Sequence, residues 1–247
     1  MKKYAIIGPF ILIIVWAVIS RCQLVDAFFL PGPITTISKL LELIKSGVII
    51  DDLVSTLGRV GLSFVIALII GLPLGLILGM SEKIYRSVEF IIDFFRSTPA
   101  TALFPLFLLI FGVTDKSKIA VAAFASTIII IFNTAYGVMH AKKSRILAAK
   151  IMGANRAQIF YWILFWESLP QTFIGLRSAI SLSLVIVIVT EMFIGTPFGL
   201  GKMINDSQII YEISTMYAII LLVGAIGYLL NLLLILIEGK TIHWRGR

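Results

Sequence analysis

Twenty-one consecutive residues, Val60 to Met80, carry no charge. The hydrocarbon core of a bilayer is about 30 Å thick and takes about 20 mostly apolar residues wound as a helix, so this run commits the chain to lipid. Five further runs fit the same template: Tyr4 to Ser20, Val88 to Phe111, Ile119 to Met139, Leu176 to Gly195 and Tyr217 to Ile237. The run Val88 to Phe111, third in chain order, carries Asp93 and Arg96 in its first turns and Pro99 and Pro105 inside. Of the 247 residues 59% are apolar and 14% charged, whereas a soluble domain keeps about a quarter of its residues charged. The expected fold is an all-α polytopic membrane protein with about six transmembrane helices. The single cysteine, Cys22, excludes an internal disulfide framework and reads as a packing residue.

The net charge is +8, and the position of the charges decides what it means. With both termini cytoplasmic, the inside segments 1–3, 81–97, 140–177 and 240–247 hold 14 of the 21 Lys and Arg residues, and 7 fall in the outside segments 21–59, 112–118 and 196–216. The positive-inside bias selects that orientation in a cell membrane. Basic residues spread along loop flanks make no folded basic domain, which weakens the nucleic-acid reading, and no nucleic-acid partner is expected. The first run follows Lys2 and Lys3 but lacks a small-residue cleavage site, and Arg21 before Cys22 fits lipoprotein processing poorly; an uncleaved anchor is expected.

Pro31-Gly32-Pro33 makes a turn, and Ile34, Ile37, Leu40, Leu41 and Ile44 then recur at helical spacing until Gly47, the pattern of a helix lying on the outer membrane face. The expected organisation is an N-terminal anchor and external amphipathic segment over 1–57, a transmembrane core over 58–239 with a cytoplasmic loop at 140–175, and a cytoplasmic tail over 240–247.

No GxxxxGK[ST] loop, HExxH pair or paired cysteines occur, and the two histidines are His140 and His243. The chain is therefore expected to have no catalytic residues, no metal site and no cofactor. The loop 140–175 is the informative segment. Leu147 to Met152 should form a short helix faced by Ala148 and Ala149, and Gly153 takes the left-handed cap that ends it. Asn155 then caps a second helix, with Gln158 three residues on completing a capping box. Two short helices at a sharp angle result. Such an elbow either lets another protein approach closely or folds back on its own bundle.

Within the spans, Glu191 lies 14 residues after Arg177, about 21 Å along a helix. An ionisable group at that depth faces protein or water. It either lines or gates a path or, the favoured reading, fixes the Gly199-Leu200-Gly201 loop by a hydrogen bond. Asn133 reads as interhelical glue rather than a ligand. Pro99 and Pro105 remove the bonds to the carbonyls of Phe95 and Thr101. The third span then either lines the path or carries a tolerated kink.

The spacing carried by Ala148, Ala149, Gly153, Ala154, Phe160 and Pro170 resembles the EAA loop of permease subunits of binding-protein-dependent ATP-binding cassette importers. The stretches Arg96 to Lys118, Phe132 to Thr134, Gly175 to Arg177 and Glu191 to Gly201, with the LPGP of Leu30 to Pro33, are similar to the nitrate, sulfonate and taurine branch. The resemblance implies an importer core that takes up a small solute. It also implies an ATP-binding subunit seated on Leu147, Ala148, Ala149, Gly153, Ala154 and Asn155, an extracytoplasmic solute-binding protein, and a second permease copy. The family's glutamate position is Leu147 here, and its usual first proline is Trp166, which points to an apolar rather than charged ATPase contact. The competing class is a secondary transporter or channel that needs no ATPase. It would carry several intramembrane charges or inverted repeats, and Glu191 alone is embedded.

Overall fold

The computed structural model describes residues 7–26, 28–193 and 195–242. Among them every regular element is helical: α1 (Ile7–Arg21), α2 (Pro33–Ser46), α3 (Ile50–Gly79), α4 (Glu82–Ser97), α5 (Phe104–Phe111), α6 (Asp115–Met139), α7 (Lys143–Ile151), α8 (Arg156–Ile159), α9 (Phe165–Phe193), α10 (Leu200–Ile209) and α11 (Ile213–Thr241). Among the described residues four stretches are long and apolar enough to cross a membrane, α3, α6, residues 156–193 and α11, and the bent α4–α5 pair makes a fifth if it crosses as one span. The chain parts into two compact units, Met1–Thr56 with Glu191–Ile226, and Leu57–Thr190 with Gly227–Arg247.

Three of the expected spans differ. The run Val88 to Phe111 is not one helix: α4 and α5 meet at a 91° bend. Pro99 forces Thr98 out of the helical region, to ψ 126°, as a residue before proline must be. Pro105 sits in the first turn of α5, where its missing N–H is no loss. Nor is the Thr101 carbonyl left free, because a 3-10 turn brings it the Phe104 N–H. The fifth span begins much earlier than Leu176, since α8 continues through a π-helical turn at Phe160–Leu164 into α9. The first span has 15 described residues, Ile7–Arg21, shorter than the other candidates; Tyr4 lies outside the described residues.

In the first unit, Trp16 Nε1 donates to the Pro31 carbonyl at 3.0 Å and Ser20 Oγ to the Leu30 carbonyl at 3.2 Å, tying α1 to the turn before α2. Pro33 opens α2, and Gly47, at φ 74°, closes it. Its Ile34, Ile37, Leu41 and Ile44 are exposed, the free apolar face the spacing predicts. Cys22 is exposed rather than packed.

In the second unit, glycines let α6 be approached from two sides. A Cβ at Gly75 of α3 would lie 2.6 Å from Thr134 Cβ, and one at Gly175 of α9 would lie 2.6 Å from Asn133 Cβ. A Cβ at Gly71 would lie 2.9 Å from Ile130 Cβ, and one at Gly79 would lie 2.6 Å from Val138 Cβ. Small residues at helix crossings maximise dispersion contact where lipid offers no hydrophobic drive. Ser126 Oγ and Ser183 Oγ, 2.7 Å apart, share a hydrogen bond between α6 and α9.

Candidate functional site

The predicted elbow forms, with shifted ends. Its first helix starts at Lys143, four residues before Leu147, and Gly153 follows it at φ +85°. That left-handed conformation is barred to β-branched residues by the clash of Cβ with the following carbonyl. The Ala154 N–H reaches back to the Ala149 carbonyl at 2.9 Å, so one of the orphan carbonyls of α7 is satisfied across the glycine. Asn155 Oδ1 accepts the Gln158 N–H at 2.9 Å and Gln158 Oε1 accepts the Asn155 N–H at 2.8 Å, the reciprocal capping box its spacing predicts. The second helix is not an independent short one. It runs on through the π-helical turn into the long span, so any torque on the elbow acts on α9 directly.

Two residues that were not singled out in the sequence brace this elbow. Arg145, in the first turns of α7, forms an ion pair with Glu167, in the first turn of α9. Around Gly153 the surface folds into a cleft of about 340 Å³, lined by Ala149, Met152, Ala154, Gln158, Trp162 and Ile163. Leu147 and Ile151 stand out from the same helix, and Ala148 is exposed beside them.

Glu191 belongs to a buried polar cluster of the first unit. Its Oε2 accepts the Gly201 N–H at 3.0 Å, and both carboxylate oxygens accept from Thr56 Oγ1, at 3.0 and 2.9 Å. Thr56 Oγ1 in turn accepts the Leu200 N–H at 2.9 Å, and Asp52 Oδ1 accepts the Gly199 N–H at 2.7 Å. Three consecutive amides at the start of α10 are thus met by side chains of α3 and α9. A helix leaves its first N–H groups without internal partners and carries partial positive charge there, so carboxylates are suited to that position. Glu191 is 1% exposed and Thr56 0%. The hydrogen bond to the Gly199-Leu200-Gly201 segment is the structural one favoured for Glu191, except that Leu200 opens a helix rather than lying in a loop. Asp52 and Thr56 carried a faint signal, polar residues four apart at the start of an apolar helix.

Asn133 Oδ1 accepts from Gln171 Nε2 at 3.0 Å, and its Nδ2 donates to the Ile129 carbonyl at 2.9 Å. The amide therefore bridges α6 and α9 as expected of interhelical glue. Arg177 and Glu238 pair at 3.0 Å between α9 and α11. Asp115 Oδ1 holds the buried Arg59 and Lys118 at 3.0 and 3.2 Å. Pro99 and Pro105 flank the sharp bend of the α4–α5 pair.

The family described as "Binding-protein-dependent transport system inner membrane component" matches residues 71–242. The taurine transport system permease protein TauC of Escherichia coli (strain K12) is 28% identical over 241 residues, covering 96% of this chain and 87% of that one. The nitrate import permease protein NrtB of Synechocystis sp. is 25% identical over 241 residues, with 94% and 86% covered. The formylaminopyrimidine transport permease protein ThiX of Halalkalibacterium halodurans is 26% identical over 236 residues, with 96% and 93% covered. Among solved structures, an inward-facing conformation of the MetNI methionine ABC transporter superimposes with a TM-score of 0.69 at 22% identity, covering 78% of this chain and 95% of that one; at that identity the likeness speaks for the fold. The chain therefore belongs to the inner membrane components of binding-protein-dependent transport systems, and it is a multi-pass membrane permease of an ATP-binding cassette importer.

Proposed function

We propose that this permease forms the translocation path for a small oxyanion of the taurine or nitrate kind and is driven by a separate ATP-binding subunit that grips the elbow at Leu147, Ala148, Ala149, Gly153, Ala154 and Asn155. The observation that carries this reading is the elbow itself: a capped turn fixed by Gly153 and the Asn155–Gln158 box, fused without a flexible joint to a membrane-spanning helix. A push on it tilts that helix, and a two-state rocking follows if the partner's contacts differ between states. Both termini lie in the cytoplasm, which the distribution of Lys and Arg supports. An extracytoplasmic binding protein delivers the solute, and a second copy of the chain completes the path. The bend at Pro99 and Pro105 belongs to its wall, while the Asn133 amide ties α6 to α9 and Glu191 holds the start of α10 in place.

The relatives named for taurine and nitrate transport support the solute class, and the one named for formylaminopyrimidine supplies the competitor to test. The experiment is uptake of labelled taurine, nitrate and formylaminopyrimidine into proteoliposomes holding this chain, its cognate ATP-binding subunit and its cognate binding protein. Uptake of an oxyanion that requires ATP and all three components is the expected result. Uptake that persists without any ATP-binding subunit contradicts the reading.

A further inference from the structure

We propose that the groove receiving the elbow on the ATP-binding subunit has an apolar floor and an acidic lip, the complement of the exposed apolar centre and cationic rim that the elbow presents. The inference rests on the elbow being that subunit's docking site and adds what the site recognises.

Three observations carry it. Leu147 is 60% exposed, Ile151 79% and Met152 86%. Leu147 and Ile151 are one turn apart on α7, so they project together. Large apolar side chains grouped in this way outside lipid mark an interface.

Second, the charges around them are of one sign. From His140 to Trp166 there are five Lys and Arg residues and no Asp or Glu. Arg145 is taken up by Glu167, and Lys142, Lys143, Lys150 and Arg156 are exposed. Lys143 and Lys150 fall on the face of Leu147 and Ile151, at helical offsets of four and three residues from Leu147. An apolar centre with a cationic rim is the usual anatomy of a protein interface, and its complement is apolar inside and acidic around the edge.

Third, the apolar residues border a concavity. The cleft of about 340 Å³ beside Met152 and Gly153 is floored by Ala149 and Ala154 and walled by Trp162. An anionic bilayer surface would also attract apolar and basic side chains, but it is soft and flat and does not fill a cleft. A side chain of a folded partner does.

A carboxylate at the Leu147 position would be desolvated against such a floor. Placing one there should therefore harm docking. The test uses the full-length permease in nanodiscs of zwitterionic or anionic lipid, with its cognate ATP-binding subunit titrated onto it. The expected result is that Leu147→Glu weakens binding at least tenfold while Leu147→Met stays within threefold. Lys143→Glu with Lys150→Glu should weaken binding at low salt, and the gap from the parent should close at 0.5 M salt, where exposed charges are screened.

Equal affinity of the parent and Leu147→Glu overturns the inference and leaves the docking site standing. No binding of the parent in either lipid overturns the docking site itself. A polarity-sensitive label at Met152→Cys, in a Cys22→Ser background, that reports an apolar environment in anionic nanodiscs without the subunit assigns the patch to the bilayer and also overturns the inference.

Discussion

Glu191 Oε2 and the Gly201 amide nitrogen, ten residues apart in sequence, are 3.0 Å apart, and the carboxylate is sealed from solvent. A buried N–H deprived of its acceptor costs roughly 1–3 kcal/mol. Glu191→Leu should therefore lower the thermal stability of the purified permease by about that amount and loosen α10, read as faster hydrogen exchange at Leu200 to Met203. Glu191→Gln keeps an acceptor for Gly201 and should transport at near the parental rate. A Gln variant that folds normally and does not transport would instead assign the charge to the path.

The capping box makes a matched pair of predictions. Asn155→Ala removes the acceptor for the Gln158 N–H and should cost about 1 kcal/mol, whereas Asn155→Asp keeps it and adds a charge suited to a helix N-terminus. Hydrogen exchange at Gln158 and Ile159 is the measurement. Alanine should raise the rate severalfold and aspartate should leave it unchanged.

Gly75 lies so close to Thr134 that even a methyl group would meet its Cβ at 2.6 Å. Overpacking of this kind typically costs 1–3 kcal/mol. Gly75→Ala should lower the melting temperature in detergent, and Thr134→Gly should recover part of the loss in the double variant, the non-additivity expected of residues in contact. Simple addition of the two losses would show that the helices had moved apart instead.

Arg145 and Glu167 join the two limbs of the elbow, the arginine half exposed and the glutamate nearly buried. Exposed pairs contribute no more than about 1 kcal/mol, so Arg145→Ala should leave global stability almost untouched. Its effect belongs on coupling, as a severalfold loss of solute-stimulated ATP hydrolysis with basal hydrolysis unchanged. Exchanging the pair, Arg145→Glu with Glu167→Arg, should restore part of it. Stimulation equal to the parent's in Arg145→Ala would remove the brace from the account.

Local chemistry was legible in the sequence where spacing alone encodes it. Gly153 and the Asn155–Gln158 box are fixed by neighbours a few residues away, and the structure places them as their spacing requires. The helical character of the chain followed from apolar run length for the same reason. What sequence did not disclose is non-local or masked by hydropathy. The pairing of Asp52 with Gly199 spans 147 residues, and no periodicity connects them. Asp51 and Asp52 kept the first turns of α3 outside the apolar run, and the polar α10 lacked the stripe that betrays a helix. A kink at Pro99 and Pro105 was one of the open readings, but its 91° size was not legible, because apolar content continues across the break. Gln171 became the partner of Asn133 only once Gly175 allowed α9 to approach α6 so closely.

The central claim is that the elbow passes work from a separate ATPase into the membrane helices. The most direct measurement is ATP hydrolysis by the reconstituted complex, with and without solute-loaded binding protein, for the parent and for Gly153→Val. Nothing lies within 4 Å of a Cβ at Gly153, so valine acts through its backbone, which resists a φ of +85°. Normal membrane insertion, basal hydrolysis and no stimulation are expected of the variant. Full stimulation by the loaded binding protein in Gly153→Val would contradict the claim.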